Sequence, residues 1–203
     1  MMDIILWAMR YHPDHKQQTR ELVLAEAGKE IRKQGPHKIS VASIMKRAGL
    51  THGGFYAHFE SKDAMLAAAI EQMFDGSRDR WVTATLDRSP EDGLATYVDW
   101  YLAPAHRDSR ESGCTVAALA SDLPRLSPAC QKSYAEGSRR IISRMAAVLA
   151  ALGRDEPEAL AASVFAEMLG ALSLARIETD ARRSDAILVG SRRAVKRRLG
   201  LRP

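Results

Sequence analysis

Aromatic side chains make up 6% of this 203-residue chain, so its core has to be built mainly from aliphatic groups. Hydrophobic residues reach 46% and alanine is abundant. That leans toward helix, because alanine loses no side-chain entropy there. Cysteine is nearly absent: Cys114 and Cys130 stand alone, with no Cys-x-x-Cys. Two thiols cannot make a disulfide framework; they read as small buried apolar groups, with a redox pair as the alternative. His12-x-x-His15 offers two ligands without partners, too few for a metal site, and no cofactor is expected. No apolar run approaches ~18 uninterrupted residues, so no membrane span and no membrane partner are expected. The segment Met1–Met9 is apolar but short, with neither a charged start nor a small-residue cleavage site, which makes it a poor signal peptide. A reducing cytoplasm is the expected location. A nucleophile elbow, a phosphate-binding glycine loop and a His-Glu-x-x-His pair are also missing, and each absence counts against an enzyme.

Charge is present and unevenly placed. The formal net charge is +5. Residues 1–62 carry ten Lys/Arg against six Asp/Glu, residues 63–190 fourteen against nineteen, and residues 191–203 six against none. Five of the six histidines, His12, His15, His37, His52 and His58, lie in the first segment. A basic module on an acidic body suits a polyanionic partner, although charge alone is equally compatible with a solvated surface.

The hydrophobic pattern is helical almost throughout, and no stretch alternates as a strand. A first helix is expected over Lys16 to Gln34, with Leu22, Val23, Ala27 and Ile31 on one face, stopped by Gly35-Pro36. Ser40 caps a short helix that Gly49 ends. Thr51 caps a third, ending near Phe59, and Ser61 caps a fourth running to about Leu86, with Asp63 in its first turn. Further helices are expected over Pro90 to Ala103, Cys114 to Ser121, Ser127 to Leu152, Pro157 to Thr179 and Asp185 to Leu199. The polar run His106 to Gly113 reads as a break. The fold class is all-α, with about nine helices. The division falls near the start of the fourth helix, giving domains 1–60 and 61–203 that this helix joins mechanically.

The segment Ser40 to Lys62 is the most informative. Two short helices meet at Ala48-Gly49-Leu50-Thr51, where a helix-turn-helix needs a small residue and a glycine. Ile44 and Leu50 are placed to pack the pair. The second helix opens with His52-Gly53-Gly54, and two adjacent glycines cost about 1 kcal/mol each in helix propensity. Such a cost points to close backbone approach by something, and N–H groups at a helix start bind phosphate. Tyr56, His58 and Lys62 add donors at spacings that reach one DNA strand.

Ser40, Ile44, Ala48-Gly49-Leu50-Thr51, Gly53, Phe55-Tyr56, His58-Phe59, Ser61-Lys62 and Leu66 together resemble the signature of the TetR family of transcriptional regulators. The run Phe-Tyr-x-His-Phe-x-Ser-Lys is its most specific part, and the match covers about a quarter of the chain. Residues 10–15 also resemble the lead-in of some members. The resemblance implies phosphate contacts from Ser40, Thr51, Tyr56, His58 and Lys62. It puts His52, Gly53 and Gly54 at the base edges or the backbone nearest them, and makes Phe55 and Phe59 structural anchors. For His58 a buried, hydrogen-bonding role stays open. Ile31 departs from the pattern, where members often carry Phe; this concerns packing.

In the body, Gly113 to Ala120 resembles a stretch found in a subset of members. Trp81, Tyr97, Trp100, Tyr101, Met145, Phe165 and Met168 are the larger side chains in segments able to enclose a small apolar or amphipathic effector, with ordinary core packing as the alternative. Ala162, Ala166, Gly170 and Ser173 form a small-residue stripe, flanked by Leu160, Val164, Leu169 and Leu172. Ile187, Leu188, Ala194 and Val195 follow on the last helix. Small stripes permit close helix approach. The resemblance implies a homodimer through these two helices, against the alternative of intrachain core. The basic tail Arg192 to Arg202 suits a helix C-terminus, and the resemblance places it away from the duplex. The expected function is therefore a repressor that binds palindromic double-stranded operator DNA as a homodimer and is released by a small molecule. The alternatives are a helical adaptor or an enzyme-like ligand-binding protein that has lost operator binding.

Overall fold

The computed structural model describes residues 13–202, nine α-helices and four short 3-10 turns with no strand among them. The lead-in at residues 10–12, His12 of the histidine pair and the segment Met1–Met9 lie outside the described residues. Helix α1 spans Pro13–Gln34 and buries Val23, Leu24, Ala27 and Ile31. Leu22, expected on that face, is 47% exposed; it stands one position off the 3-4 spacing that Val23, Ala27 and Ile31 keep. Ser40 caps α2 (Val41–Arg47), its hydroxyl accepting from the Ser43 N–H at 3.1 Å. Gly49 then takes φ 72°, a left-handed turn that favours glycine, and Leu50 N–H closes on Met45 O at 2.8 Å.

Ser61 caps α3 (Lys62–Thr85), accepting from Ala64 N–H at 3.0 Å. At 24 residues this helix is about 36 Å long. It packs against α1 and against α4 (Pro90–Tyr101) and α7 (Pro128–Ala151), so the N-terminal helices and the body share one continuous apolar core. The polar stretch expected to be a break holds α5 (Pro104–Asp108) and a 3-10 turn at Arg110–Ser112. Proline at the first position starts α5 without needing an N–H partner, a signal that outweighs local polarity. Helix α6 (Thr115–Leu119) follows. The body closes with α8 (Pro157–Ile177) and α9 (Ala181–Leu199), packed on each other and on the core. Helix α9 begins four residues before the expected Asp185, because Asp180 caps it by accepting from Arg183 N–H at 2.9 Å.

Helix α8 is long and apolar enough to cross a bilayer by composition, with a mean hydropathy of 1.5. Glu158, Glu167 and Arg176 interrupt it, and the helix packs against α7 and α9 rather than standing apart.

Candidate nucleic-acid interface and dimer face

The segment between α2 and α3 was expected to be an α-helix capped by Thr51. It is a 3-10 turn over His52–Ala57, and the Thr51 side chain makes no capping bond. Gly53 and Gly54 remove the propensity that would carry a full α-helix, and the tighter turn is held from behind. Phe55 and Phe59 are buried, their rings 5.5 Å apart, and Arg20 of α1 lies 4.9 Å over Phe59. Arg47 ties α2 to α1 through Glu26 at 3.0 Å and Glu30 at 3.4 Å. Glu26 is held below the usual carboxylate range, first by its hydrogen bond from Lys29 and then by Arg47, against the cost of burial.

On this buried footing the predicted contact residues face outward. Ser40, Thr51, His52 and Gly53 are exposed, Gly54 and Lys62 are half-buried, and Tyr56 is 71% exposed. Its ring thus stands in solvent between two buried phenylalanines. Ser40 already spends one hydroxyl lone pair on its cap, which leaves its O–H free to donate. His58 is half-buried, with Nδ1 enclosed and unpartnered. Burial lowers its pKa, and Lys16, Arg20 and His15 lower it further. His58 thus sits inward beside cationic neighbours, without the hydrogen bond at Nδ1 that the buried role would require. Lys38 and Lys46 were not singled out from the sequence. Both are exposed beside this surface, with no carboxylate partner among the described residues. Their position, flanking the Ser40 cap and the Ala48-Gly49 turn, was the available signal.

Residues 23–69 match the family model described as "Bacterial regulatory proteins, tetR family". Over this N-terminal segment the chain is similar to bacterial regulatory proteins of the TetR family. It is 37% identical over 79 residues to the HTH-type transcriptional regulator YdgC of Bacillus subtilis (strain 168), a stretch covering 39% of this chain and 38% of YdgC. It is 26% identical over 144 residues to the HTH-type transcriptional repressor NemR of Escherichia coli (strain K12), covering 70% of this chain and 71% of NemR. The fold is shared with the crystal structure of reduced E. coli NemR, at a TM-score of 0.79 and 24% identity over 89% of this chain and 96% of that one. The match to YdgC spans about two fifths of that protein's length.

In the body, the five aromatics among the seven residues expected to enclose an effector pack on one another. Trp81 and Tyr97 rings are 4.7 Å apart, Tyr97 and Trp100 5.8 Å, and Tyr101 and Phe165 6.1 Å. Met145 and Met168 are fully buried. Trp100 borders a surface cleft of about 220 Å³ shared with Arg80, Thr83, Ala84, Arg88 and Thr96. Tyr101 O–H donates to Cys114 Sγ at 3.1 Å, and Cys114 and Cys130 are both free and buried. No group of three or more His, Cys, Asp or Glu side chains among the described residues is placed to hold a metal ion.

His106 stacks on Trp100 at 4.4 Å and is 4% exposed. Its Nδ1 lies 2.8 Å from the Tyr101 carbonyl, which only accepts, so Nδ1 carries the proton and Nε2 is bare and unpartnered. Burial pushes its pKa down to about 4. The unfolded chain therefore takes up a proton near pH 6.5 that the folded chain refuses until about pH 4. Stability contributed here is present above pH 6.5 and is lost as pH falls toward 4, by up to roughly 3 kcal/mol. Urea denaturation at pH 7 and pH 4.5 is expected to show this loss, and His106→Gln to remove a large part of it. An unchanged pH slope in the variant would assign the effect elsewhere.

The small-residue stripe is exposed: Ala162, Ala166, Gly170 and Ser173 all face outward, with Leu174 at 55% and Ile177 at 75% beside it. The alternative of intrachain core does not hold for these four. Ile187 is half-buried. Leu188 and Val195, expected at the same interface, are fully buried within the chain and have no surface left to give a partner; they pack α9 onto the rest of the body.

Proposed function

We propose that the chain binds palindromic operator DNA as a homodimer, with residues 1–60 as the DNA-binding part and 61–203 as the regulatory and dimerising part, and that a small apolar or amphipathic molecule releases it in the cytoplasm. The observation that carries this reading is the turn His52–Ala57, where exposed donors stand on a buried phenylalanine footing. Ser40, Thr51, Tyr56, His58 and Lys62 would meet phosphates, and His52, Gly53 and Gly54 would approach base edges. Two such turns must enter successive major grooves about 34–36 Å apart. Dimerisation is supported by α8. Only 39% of its most apolar window is buried in the protomer. A second copy laid along Ala162, Ala166, Gly170 and Ser173 would cover the rest. The aromatic cluster reaches the surface at Trp100 between Arg80 and Arg88, an opening suited to an amphipathic effector. Its binding would act through α3, which runs from the recognition turn into the body. The effector can shift the equilibrium only by its differential affinity for the two states. No catalytic step belongs to this reading.

Three substitutions separate the roles. Tyr56→Phe removes a neutral hydroxyl and is expected to weaken specific and non-specific binding by similar factors, with little change in salt dependence. Lys62→Ala removes a charge and should flatten the log–log salt slope by about one unit per half-site. His52→Ala should relax preference at one base position, costing about 1–3 kcal/mol on the preferred base and less on others. Binding-site selection on randomised operators reads the last effect. Equal loss on every sequence would make His52 a backbone contact. A salt-dependent mobility shift with promoter DNA tests the reading as a whole.

A further inference from the structure

Three arginines from three separate parts of the chain converge on one surface cleft with no acid among its lining. The cleft, of about 290 Å³, is bordered by Arg32 of α1, Arg110 of the loop after α5, and Ser173, Arg176 and Ile177 of α8, with Ala117 and Ala118 as its floor. None of the three guanidiniums has a carboxylate within 4 Å among the described residues. The acids of the same loop are taken by other cations: Asp108 by Arg107 at 2.8 Å, and Glu111 by Lys33 at 3.3 Å.

Arg32 and Arg176 are instead held by neutral acceptors at long range. Arg32 donates to Glu111 O at 3.4 Å, Met73 O at 3.3 Å and Thr115 Oγ1 at 3.5 Å, and its enclosed Nε has no partner. Arg176 donates to Arg107 O at 3.2 Å and His106 O at 3.3 Å. Gly113 leaves the room for it, since a Cβ there would stand 2.6 Å from Arg176 Nη2. Arg110 is exposed and its guanidinium makes no hydrogen bond to a described residue. Burial lowers the pKa of Arg32 to about 10, with Arg80 adding repulsion. Burial also lowers that of Arg176, opposed by Cys114, Tyr101 and Asp108, with Arg110 adding repulsion. Partly burying Arg32 and Arg176 with no carboxylate in contact costs free energy that surface arginines avoid; Asp108 acts on Arg176 only beyond contact distance.

We propose that this cleft binds a small oxyanion, a carboxylate or a phosphate, clamped by Arg32, Arg110 and Arg176. Planar guanidiniums match both groups through paired N–H···O bonds. The apolar floor and Ile177 leave space for a short hydrocarbon part on a carboxylate. Because Arg32 belongs to α1 and Arg176 to α8, a bound oxyanion would tie the DNA-binding part to the proposed dimer face. That consequence rests on the function proposed above, whereas binding of the ion does not.

The test is calorimetric titration of the full chain, without DNA, with sodium phosphate and with sodium benzoate at constant ionic strength set by chloride. Saturable binding at one site per protomer is expected for at least one of them. Phosphate alone identifies a phosphate site, benzoate alone a carboxylate site with an apolar extension, and both a site for the oxyanion head group. Arg110→Gln, which removes no contact of the fold, should raise Kd at least tenfold. The charge-matched Arg139→Gln on α7 should leave it within twofold. Absence of saturable binding by either ion overturns the site, as does equal weakening by the two variants or no weakening by Arg110→Gln.

Discussion

Gly170→Arg is expected to split the dimer and abolish operator binding together, while the protomer keeps its fold. Gly170 is exposed on α8, and a Cβ added there meets nothing within 4 Å in the protomer. Glycine in a helix interior is also the poorest choice after proline, so arginine should be neutral or mildly stabilising for the helix itself. Any loss must then come from a partner. In a close helix–helix contact lined by Ala162, Ala166 and Ser173, a long charged side chain would be buried opposite its own copy without a counter-charge, and both sterics and desolvation oppose that. A weakening of self-association by about a thousandfold or more, ~4 kcal/mol, is the expected scale. Because two half-sites are read together, operator affinity should fall with it. Sedimentation velocity, thermal melting and mobility shift on the same preparation check the three statements. A variant that remains fully dimeric would move the interface off this stripe.

Gly137→Val is expected to produce the largest loss of stability. Gly137 lies buried on α7 where that helix crosses α3, and a Cβ there would overlap the ring of Phe74. Phe74 cannot swing aside freely, since it is 3% exposed and packs edge-on against Tyr134 with ring centroids 5.8 Å apart. Overpacking of this kind costs about 1–3 kcal/mol or more, and the second branch of valine raises it further. For a chain of this size ~3 kcal/mol corresponds to a fall of roughly 6–12 °C in Tm. Gly76→Ala on α3 is the matched comparison: its added methyl approaches the movable end of Arg80 at 3.7 Å, so it should be neutral or slightly stabilising. Calorimetry on both variants reads the contrast. A Tm for Gly137→Val within 2 °C of the parent would show that the α3–α7 crossing yields more readily than its packing implies.

Much of this architecture was legible in the sequence because its signals are local. Ser40, Ser61 and Gly49 each act within one turn of themselves, by a side-chain oxygen reaching an N–H three residues on or by a backbone angle that other residues resist. Phe55 and Phe59 were implied as anchors by the family resemblance, and their i, i+4 spacing does put both on one side of the turn, where they are buried. Where the reading went astray, two local signals competed. Thr51 looks like a cap, yet Gly53-Gly54 leaves a 3-10 turn behind it and the hydroxyl makes no capping bond. The polarity of 106–113 looks like a break, yet Pro104 starts a short helix there.

Local signals were enough for the long helices and for the Ser40, Ser61 and Gly49 boundaries, because these follow from spacing and from side-chain chemistry within a few residues. Tertiary structure alone decided which apolar groups are core and which are surface. On α8 and α9, apolar and small residues occupy several faces, so periodicity could not tell the exposed stripe of Ala162, Ala166, Gly170 and Ser173 from the buried Leu188 and Val195. The same holds for the seven large body residues. Their size suggested a pocket wall, but whether large side chains surround a space or fill it depends on the distance between the helices that carry them, and here the rings of Trp81, Tyr97, Trp100 and Tyr101 fill it. The convergence of Arg32, Arg110 and Arg176 belongs to this second kind. It joins residues 78 and 66 positions apart, and no rule acting over a few turns of helix relates them; the packing of α1, α8 and the loop between α5 and α6 does.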